Sequence, residues 1–395
     1  MSARSPLAPG DARALSCELV GIDSRNPALV AGAPGEARCV ALLHETLESW
    51  GFRTELHDAA PGRPNLIARI GDARSGAALM LCGHSDVVGT EGMTHAPFAA
   101  EVRDGRLYGR GAADMKGGLA AMCAAAWRAA NAGLAGELVL AITADEEHAS
   151  LGARAMLERG VRADAAIVAE PTGLAVMPAH RGFAWMEVTV RGRAAHGSRY
   201  DLGVDAIRNA GLLLAELDRL ERTELARRTH PLLGRASLHA STIEGGTGMS
   251  TYPDRCVVRL ERRTLPGEVG EAAADEVRRA IEAVRATHPE VDADVALMMS
   301  QDPSDVAIDA PVMRALEASL RESGEPVRIA GMSAWTDAAL LNGAGVPAIC
   351  YGPGDIALAH AAEEWVEMAE IERAAKVLTE LVHQWCAAGG GAWRS

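Results

Sequence analysis

The sequence predicts an α/β protein with a mostly parallel sheet, interrupted by a smaller inserted domain. Short apolar runs alternate with helical patterns over the first half of the chain, and this pattern returns near the C-terminus. The middle of the chain differs, because its strands alternate between apolar and polar residues and its helices are amphipathic. The length of 395 residues also exceeds what one hydrophobic core usually supports.

In the first half, predicted strands alternate with predicted helices, which is typical of a parallel sheet covered on both faces. Ala77–Cys82, Glu137–Thr143 and Ala165–Ala169 are short apolar runs and are predicted strands. Met115–Ala130 is rich in alanine and is a predicted helix, and Leu151–Gly160 is a shorter one.

The middle of the chain has the element order β-α-β-β-α-β, which is that of the ferredoxin-like split motif. We therefore predict a separate domain at residues 183–298, inserted into an outer domain made of residues 1–182 and 299–395. The predicted elements of the inserted domain are Phe183–Arg191, Val204–Leu220, Arg235–Ile243, Arg255–Leu265, Ala272–Thr287 and Ala293–Met299.

After the insertion, the α/β pattern resumes. Val312–Ser323 is a predicted helix and Pro347–Tyr351 a predicted strand that runs into Gly-Pro-Gly. Glu364–Trp385 is a predicted long closing helix, and Gly389–Ser395 is a tail expected to lack structure.

Composition excludes several classes of partner. The formal net charge of −14 argues against nucleic acid and anionic membranes, since both require a basic surface. No run reaches the roughly 18 apolar residues that span a bilayer, and Met1–Val20 lacks a secretory signal. The seven cysteines are scattered and contain no CxxC pair, which is typical of reduced thiols. We therefore expect a soluble, cytoplasmic protein that acts on a small molecule.

Several His, Asp and Glu residues follow the predicted strands of the outer domain. In a parallel sheet, the carboxyl ends of the strands meet at one edge, where ligands bind. Each residue has a simpler explanation alone, because an Asp before a helix is usually an N-cap and paired acids usually face solvent. Together, however, they would create negative charge that cations must neutralise. The residues are His84, Asp86, Asp114, Asp145, Glu146, Glu147, Glu170 and His360.

Imidazole and carboxylate groups without thiolates are suitable ligands for zinc, cobalt or manganese. Five such ligands are enough for two metals that share one bridging carboxylate. The adjacent acids Glu146 and Glu147 allow a division of roles, in which one carboxylate faces the metals and the other faces the substrate water. The sequence therefore predicts a site for two divalent metal ions, with zinc as the first choice.

Six stretches match a known family in the family's own order and cover essentially the whole chain. The sequence resembles the M20 metallopeptidase family, in particular amidohydrolases of the acetylornithine deacetylase and succinyl-diaminopimelate desuccinylase type. The matching stretches are GHSDVV (83–88), LYGRGAADMKGGLAA (107–121), TADEEHASLGA (143–153), AEPT (169–172), RGRAAHGS (191–198) and YGPGD…AHAAEEWV (351–366).

This resemblance implies a role for each metal-site residue. His84 and Glu170 are implied ligands of one metal, Glu147 and His360 of the other, and Asp114 bridges the two.

The resemblance also implies that Glu146 is the general base and that Asp86 orients His84. It further makes the peptide bond between Asp114 and Met115 a candidate for the cis form.

The inserted domain is then an implied lid through which two copies form a homodimer. His196 is the implied histidine that polarises the scissile carbonyl, and in dimeric family members it reaches the partner's active site. Arg263 is the implied clamp for the substrate carboxylate, unless it only points outward from an exposed strand. Ser250 stands where the family usually has Asn, and serine has fewer hydrogen-bonding groups than an amide. Gly352 is a further candidate for substrate contact.

The predicted activity is metal-dependent hydrolysis of an amide bond in an N-acyl amino acid or small peptide, as in acetylornithine deacetylase. One alternative is a dipeptidase or carboxypeptidase of the same family. The alternative from another class is a catalytically silent protein that binds metal or ligand on this fold. A nucleotide-binding protein is set aside, because no glycine-rich phosphate loop follows a strand.

Overall fold

The computed structural model describes residues 7–72, 74 and 76–387. The chain divides into two compact units. The first, here called the outer unit, contains the described residues up to Pro178, Val306–Ala330 and the described residues from Thr336 onward. The second, here called the inner unit, contains Ala179–Asp305 and Gly331–Trp335. The predicted inserted range 183–298 lies within the inner unit, and the predicted tail lies outside the described residues.

The helices are numbered along the chain, and the strands likewise. The helices are α1 (Ala12–Val20), α2 (Ala37–Ser49), α3 (Gly117–Ala132), α4 (Leu151–Glu158), α5 (Ala206–Thr223), α6 (Gly270–Thr287), α7 (Pro311–Glu322), α8 (Ala338–Gly343) and α9 (Met368–Trp385). The strands are β1 (Arg53–Ala60), β2 (Arg63–Gly71), β3 (Ala78–His84), β4 (Glu101–Arg103), β5 (Arg106–Tyr108), β6 (Glu137–Thr143), β7 (Ala165–Val168), β8 (Val176–His180), β9 (Gly182–Arg191), β10 (Thr229–His230), β11 (Gly234–Arg235), β12 (Ser237–Gly245), β13 (Arg255–Thr264), β14 (Asp292–Gln301), β15 (Ser304–Asp305), β16 (Ile329–Met332), β17 (Ala348–Cys350) and β18 (Trp365–Glu367).

The outer unit is built around a sheet with the strand order β1-β2-β6-β3-β7-β17. The four strands from β6 to β17 are parallel, while β1 and β2 extend the sheet in antiparallel pairing. Strands β3 and β7 are buried along their whole length, as expected of strands covered on both faces. The predicted α/β class with a mostly parallel sheet is therefore confirmed.

Helix α3 is the central helix of the outer unit, and most of its residues are buried. Its alanine and glycine residues allow close packing, since an added Cβ at Gly118 would lie 2.0 Å from the carbonyl oxygen of Ala169. Helix α3 therefore packs directly against the end of β7, just before Glu170.

The inner unit contains a four-stranded sheet in the order β12-β13-β9-β14, with every pair antiparallel. Alternate residues of β9 and β13 are buried beneath helices α5 and α6. The two helices and four strands follow the β-α-β-β-α-β order, so the predicted ferredoxin-like domain is confirmed.

The closing helix starts later than the sequence predicts. Trp365–Glu367 forms strand β18 and pairs with β5, and helix α9 begins only at Met368. The reason is that Glu364 is fully buried and ion-paired with Arg110, which holds this segment in place before the helix starts. No helix among the described residues has the length and apolar character to cross a membrane.

Candidate active site

The predicted site residues of the outer unit lie at the carboxyl ends of adjacent parallel strands. Strand β3 ends at His84, and β6 ends at Thr143, just before the turn that carries Glu146 and Glu147. Strand β7 is followed by Glu170, and β17 is followed by the segment that carries His360. The parallel sheet thus brings these residues to one edge, as the sequence predicts.

Five of these side chains are linked to one another by short distances between their polar atoms. His84 Nε2 lies 3.0 Å from Asp114 Oδ1, and His360 Nε2 lies 2.9 Å from Glu147 Oε2. His360 Nε2 is also 3.5 Å from Asp114 Oδ2, so the Asp114 carboxylate lies between the two imidazoles. Glu146 Oε2 is 3.9 Å from His84 Nε2.

The segment that carries Asp114 is irregular. It forms a single π-type turn over Ala112–Lys116, in which Asp114 has non-helical dihedral angles. The peptide bond between Asp114 and Met115 is cis, which confirms the expectation from the sequence.

A buried carboxylate holds this segment in place through hydrogen bonds to its backbone. Glu364 Oε1 accepts hydrogen bonds from the N–H groups of Ala113 (3.0 Å) and Asp114 (3.2 Å). Its other oxygen lies 2.6 Å from Arg110 Nη1, and both side chains are almost entirely buried. Burial raises the pKa of Glu364 to about 7.

The turn that carries Glu146 and Glu147 begins at Asp145, which has a left-handed backbone with φ of 68°. This conformation is uncommon for a residue other than glycine, and here local hydrogen bonds stabilise it. The Asp145 carbonyl accepts the N–H groups of Ala149 and Ser150, and its carboxylate accepts the N–H of Ala149.

Asp86 contacts both His84 and the same turn, through different atoms. Its backbone carbonyl is 3.0 Å from His84 Nδ1 and accepts that hydrogen bond, whereas its carboxylate is 3.6 Å away. The carboxylate accepts the N–H groups of Glu146 (3.1 Å) and Glu147 (3.2 Å). The side chain of Asp86 therefore orients the turn, and its backbone orients His84.

The site has a strongly negative environment. Burial, together with neighbouring carboxylates, raises the pKa values of Glu146 and Glu170 well above the usual range. Burial opposes protonation of His84, but its hydrogen bond to Asp114 and the nearby acidic groups raise its pKa well above the usual value. Hydrogen bonds to Asp114 and Glu147 raise the pKa of His360 to about 10.

These residues fit divalent cations. His84, Asp114 and Glu147 each offer a ligand atom, and these atoms all lie within 4.8 Å of one another. In addition, Glu147 Oε1 and Glu170 Oε1 are buried without a hydrogen-bond partner among the described residues. Buried carboxylate oxygens are rarely left unpartnered unless a cation balances them, and this set of donors suits zinc, cobalt or manganese.

Gly352 packs tightly beside Glu170. An added Cβ would lie 2.5 Å from the Ala169 carbonyl oxygen and 2.6 Å from that of Glu170, so only glycine fits there. This contact explains the glycine by packing, and its predicted contact with substrate stays a prediction.

In the inner unit, His196 and Ser250 are neighbours. The N–H of Gly197 donates to the Ser250 carbonyl at 2.8 Å, and His196 forms a β-bridge with Thr251. The His196 side chain is exposed and its Nδ1 lies 2.8 Å from Ser198 Oγ.

Arg263 lies at the other end of the same sheet. It is paired along β9 with Phe183, and its guanidinium lies 5.6 Å from that ring. Its Nη2 also lies 2.7 Å from Glu261 Oε1. Eight residue steps separate Arg263 from Arg255, where β13 begins beside the His196 segment, which corresponds to roughly 26 Å. His196 and Arg263 are therefore at opposite ends of the inner sheet.

The sequence did not reveal the buried partners of the site. Asn26 and Arg63 belong to none of the matching stretches, and the groups that they bind are far away along the chain. Asp337 was also missed: Thr143 Oγ1 donates to its Oδ2 at 3.1 Å, and burial raises its pKa to about 6. Glu364 and Arg110 did have a signal, since they fall within the AHAAEEWV and LYGRGAADMKGGLAA stretches.

Comparisons with a protein family and with single known proteins point to the same family. The model for "Peptidase family M20/M25/M40" matches residues 80–384. An acetylornithine deacetylase from Myxococcus xanthus is 33% identical over 350 residues, which cover 86% of this chain and 90% of that protein.

Solved structures show the same fold. An M20 family metallo-carboxypeptidase from Sulfolobus solfataricus superposes with a TM-score of 0.79 at 17% identity, over 94% of this chain and 98% of that one. A dinuclear metal-binding peptidase of the M20 family from Bacillus subtilis superposes with a TM-score of 0.71 at 18% identity, over 94% and 96% of the two chains.

Proposed function

Because the chain belongs to peptidase family M20/M25/M40 and is a hydrolase of that family, we propose that it cleaves the amide bond of an N-acyl amino acid. The observation that carries this proposal is the pairing of a cation-binding cluster with a separate buried carboxylate, Glu146, at 3.9 Å from His84. The 33% identity to an acetylornithine deacetylase favours deacylation over peptide cleavage.

The proposed cation site is made of His84, Asp114, Glu147, Glu170 and His360, with Asp114 between the two imidazoles. Divalent cations bound there would act as Lewis acids toward the amide carbonyl and acidify water. We propose zinc as the native metal, with cobalt or manganese as alternatives, because the ligands are imidazoles and carboxylates.

Glu146 is the proposed general base. It takes a proton from the attacking water as the oxygen–carbon bond forms, and it gives this proton to the amine nitrogen as the carbon–nitrogen bond breaks. Its pKa, raised by burial, favours holding the proton between the two steps. Asp86 keeps Glu146 in place through the backbone of the turn.

The inner unit is the proposed lid and dimerisation domain. Arg263 would bind the substrate carboxylate, Ser250 and Gly352 would contact substrate, and His196 would stabilise the oxyanion. Since His196 and Arg263 lie at opposite ends of one sheet, we propose that His196 acts in the active site of a second subunit.

A hydrolysis screen tests the proposed activity. The protein, reconstituted with zinc or cobalt, is assayed against N-acetyl, N-succinyl and N-formyl amino acids and against dipeptides. We expect the highest kcat/KM with an N-acyl amino acid. A higher kcat/KM with dipeptides would instead favour the peptidase, and bound metal without any hydrolysis would favour the silent binding protein.

Replacing Glu146 tests its proposed role as the general base. Glu146→Gln is expected to keep the bound metal but to lower kcat by about 10²–10⁴-fold, because the amide cannot accept the proton. The matched control is Glu158→Gln, which changes an exposed acid in α4. Metal content by mass spectrometry and steady-state kinetics give the two readouts, and a kcat near that of the wild type would remove Glu146 from this role.

A further inference from the structure

Three fully buried carboxylates belong to or contact the turn that carries Glu146 and Glu147. One guanidinium forms hydrogen bonds to two of them. The carboxylates belong to Glu36, Asp86 and Asp145. Arg63, at the start of β2, binds Glu36 through two bonds, Nε to Oε2 at 2.7 Å and Nη2 to Oε1 at 2.5 Å. The same Nη2 is 3.1 Å from Asp145 Oδ1. Arg63 therefore neutralises part of the negative charge of these buried carboxylates.

Asn26 connects this ion pair to Asp86. Its Nδ2 donates to Asp86 Oδ2 at 2.8 Å and to Asp145 Oδ1 at 2.9 Å. Its Oδ1 lies 3.2 Å from Arg63 Nη2 and accepts from it. The orientation of the amide is fixed by these partners, because only Nδ2 can donate to the two carboxylates.

The network ends on the backbone of the proposed catalytic residues. Asp86, held by Asn26, accepts the N–H groups of Glu146 and Glu147. Asp145, held by Arg63 and Asn26, adopts the left-handed conformation from which this turn starts, and its own N–H donates to Glu36 Oε1 at 3.2 Å. Asn26 thus joins the Asp86 carboxylate to Asp145 and to the ion pair of Arg63 with Glu36.

We propose that Asn26 and Arg63 are positioning residues for the turn of Glu146 and Glu147, and that they set its cation affinity and catalytic rate without contacting substrate. The proposal rests on the function proposed above and deepens it. Without Asn26, Asp86 and Asp145 would lose their shared donor and repel each other, and the turn would lose its fixed position. Outer partners of this kind change metal affinity or activity by about 10–100-fold when they are replaced.

The experiment measures Co²⁺ binding as well as turnover. Metal-free protein is titrated with Co²⁺ and followed by its visible absorption, and kcat and KM are measured on the substrate hydrolysed fastest in the screen above. The variants are Asn26→Asp, which is nearly isosteric but replaces the two amide N–H donors with a carboxyl group, and Arg63→Met with its conservative counterpart Arg63→Lys. The matched control is Arg69→Met on the same strand, whose partner is Glu137 at 3.0 Å.

We expect Asn26→Asp and Arg63→Met to weaken Co²⁺ binding and to lower kcat by about 10–100-fold each, with a much smaller change in KM. Arg63→Lys should recover part of both losses, and Arg69→Met should resemble the wild type. Thermal unfolding shows which variants fold, and if Arg63→Met does not, Asn26→Asp decides the result.

Folded Asn26→Asp protein with wild-type Co²⁺ affinity and wild-type kcat would overturn the proposal, even if it unfolds at a lower temperature. A failure of the wild type to bind Co²⁺ has a different meaning, since it would overturn the proposed function itself and this inference with it.

Discussion

At the scale of single residues, His180 of the inner unit is a buried imidazole. It is 2% exposed, its Nδ1 donates to the Arg181 carbonyl, and its Nε2 has no hydrogen-bond partner within the part of the chain that the structure describes. Burial lowers its pKa from the ordinary value to about 4. The folded protein therefore holds this side chain neutral at pH values where the unfolded chain would protonate it.

The lowered pKa of His180 predicts that the protein loses stability in acid. Above about pH 6.5 the His180 imidazole is neutral in both the folded and the unfolded protein. As the pH falls from about 6.5 to 4, this imidazole gains a proton only in the unfolded protein, so the free energy of unfolding falls. The shift corresponds to about 3 kcal/mol across this interval. Urea unfolding at several pH values measures it, and His180→Asn should flatten the dependence on pH.

The matched control for His180 is His239→Gln, which replaces an exposed imidazole in the same unit. This variant should keep the wild-type pH dependence. An unchanged slope in His180→Asn would show that His180 is not the source of the acid sensitivity.

Three residues of the proposed cation site could be placed together from the sequence, because each comes at or soon after the end of an apolar strand. His84, Glu147 and Glu170 needed only the rule that strand ends meet at one edge. Asn26 and Arg63 could not be found in this way, since their partners lie 60 and 82 residues away and their side chains belong to no motif. Their importance is visible only through hydrogen bonds.

At the scale of elements, the contact between α3 and the end of β7 predicts opposite effects of two similar substitutions. Gly118→Ala would place a Cβ 2.0 Å from the Ala169 carbonyl oxygen, so it should lower the free energy of unfolding by about 1–3 kcal/mol. Gly211→Ala in α5 has no atom within 4 Å, and it should raise stability by up to about 1 kcal/mol through helix propensity.

Urea unfolding of the two variants makes this comparison. Equal stabilisation by both alanines would show that α3 does not pack tightly against this strand.

Most elements of the two sheets could be predicted, because apolar runs and alternation carry direct information about burial. Strand β6 matches its predicted bounds, and the four strands and two helices of the inner sheet all form. The start of α9 could not be predicted. The sequence from Glu364 has a helical composition, but the buried pair with Arg110 and pairing with β5 determine its conformation.

At the scale of the whole molecule, the proposed exchange of His196 between subunits predicts complementation. Glu146→Gln and His196→Ala are each expected to be almost inactive alone. A mixed dimer would contain one site that has both Glu146 and the partner's histidine. One of the two sites in each mixed dimer would be active, so we expect the purified mixed dimer to have about half of wild-type activity.

Co-expression of the two variants with different affinity tags, followed by kinetics on the purified mixed dimer, makes this measurement. A mixed dimer as inactive as its parents would show that His196 acts within its own subunit, and a monomeric wild type would rule out any exchange.

The bond between Glu364 and the Asp114 segment joins parts of the chain that are 250 residues apart. His360 lies on the same late segment, 190 residues after Glu170. During synthesis on the ribosome, the nascent chain therefore carries His84, Asp114, Glu147 and Glu170 long before their last partners exist. The inner unit, which ends at Trp335, is therefore synthesised before the proposed cation site can close.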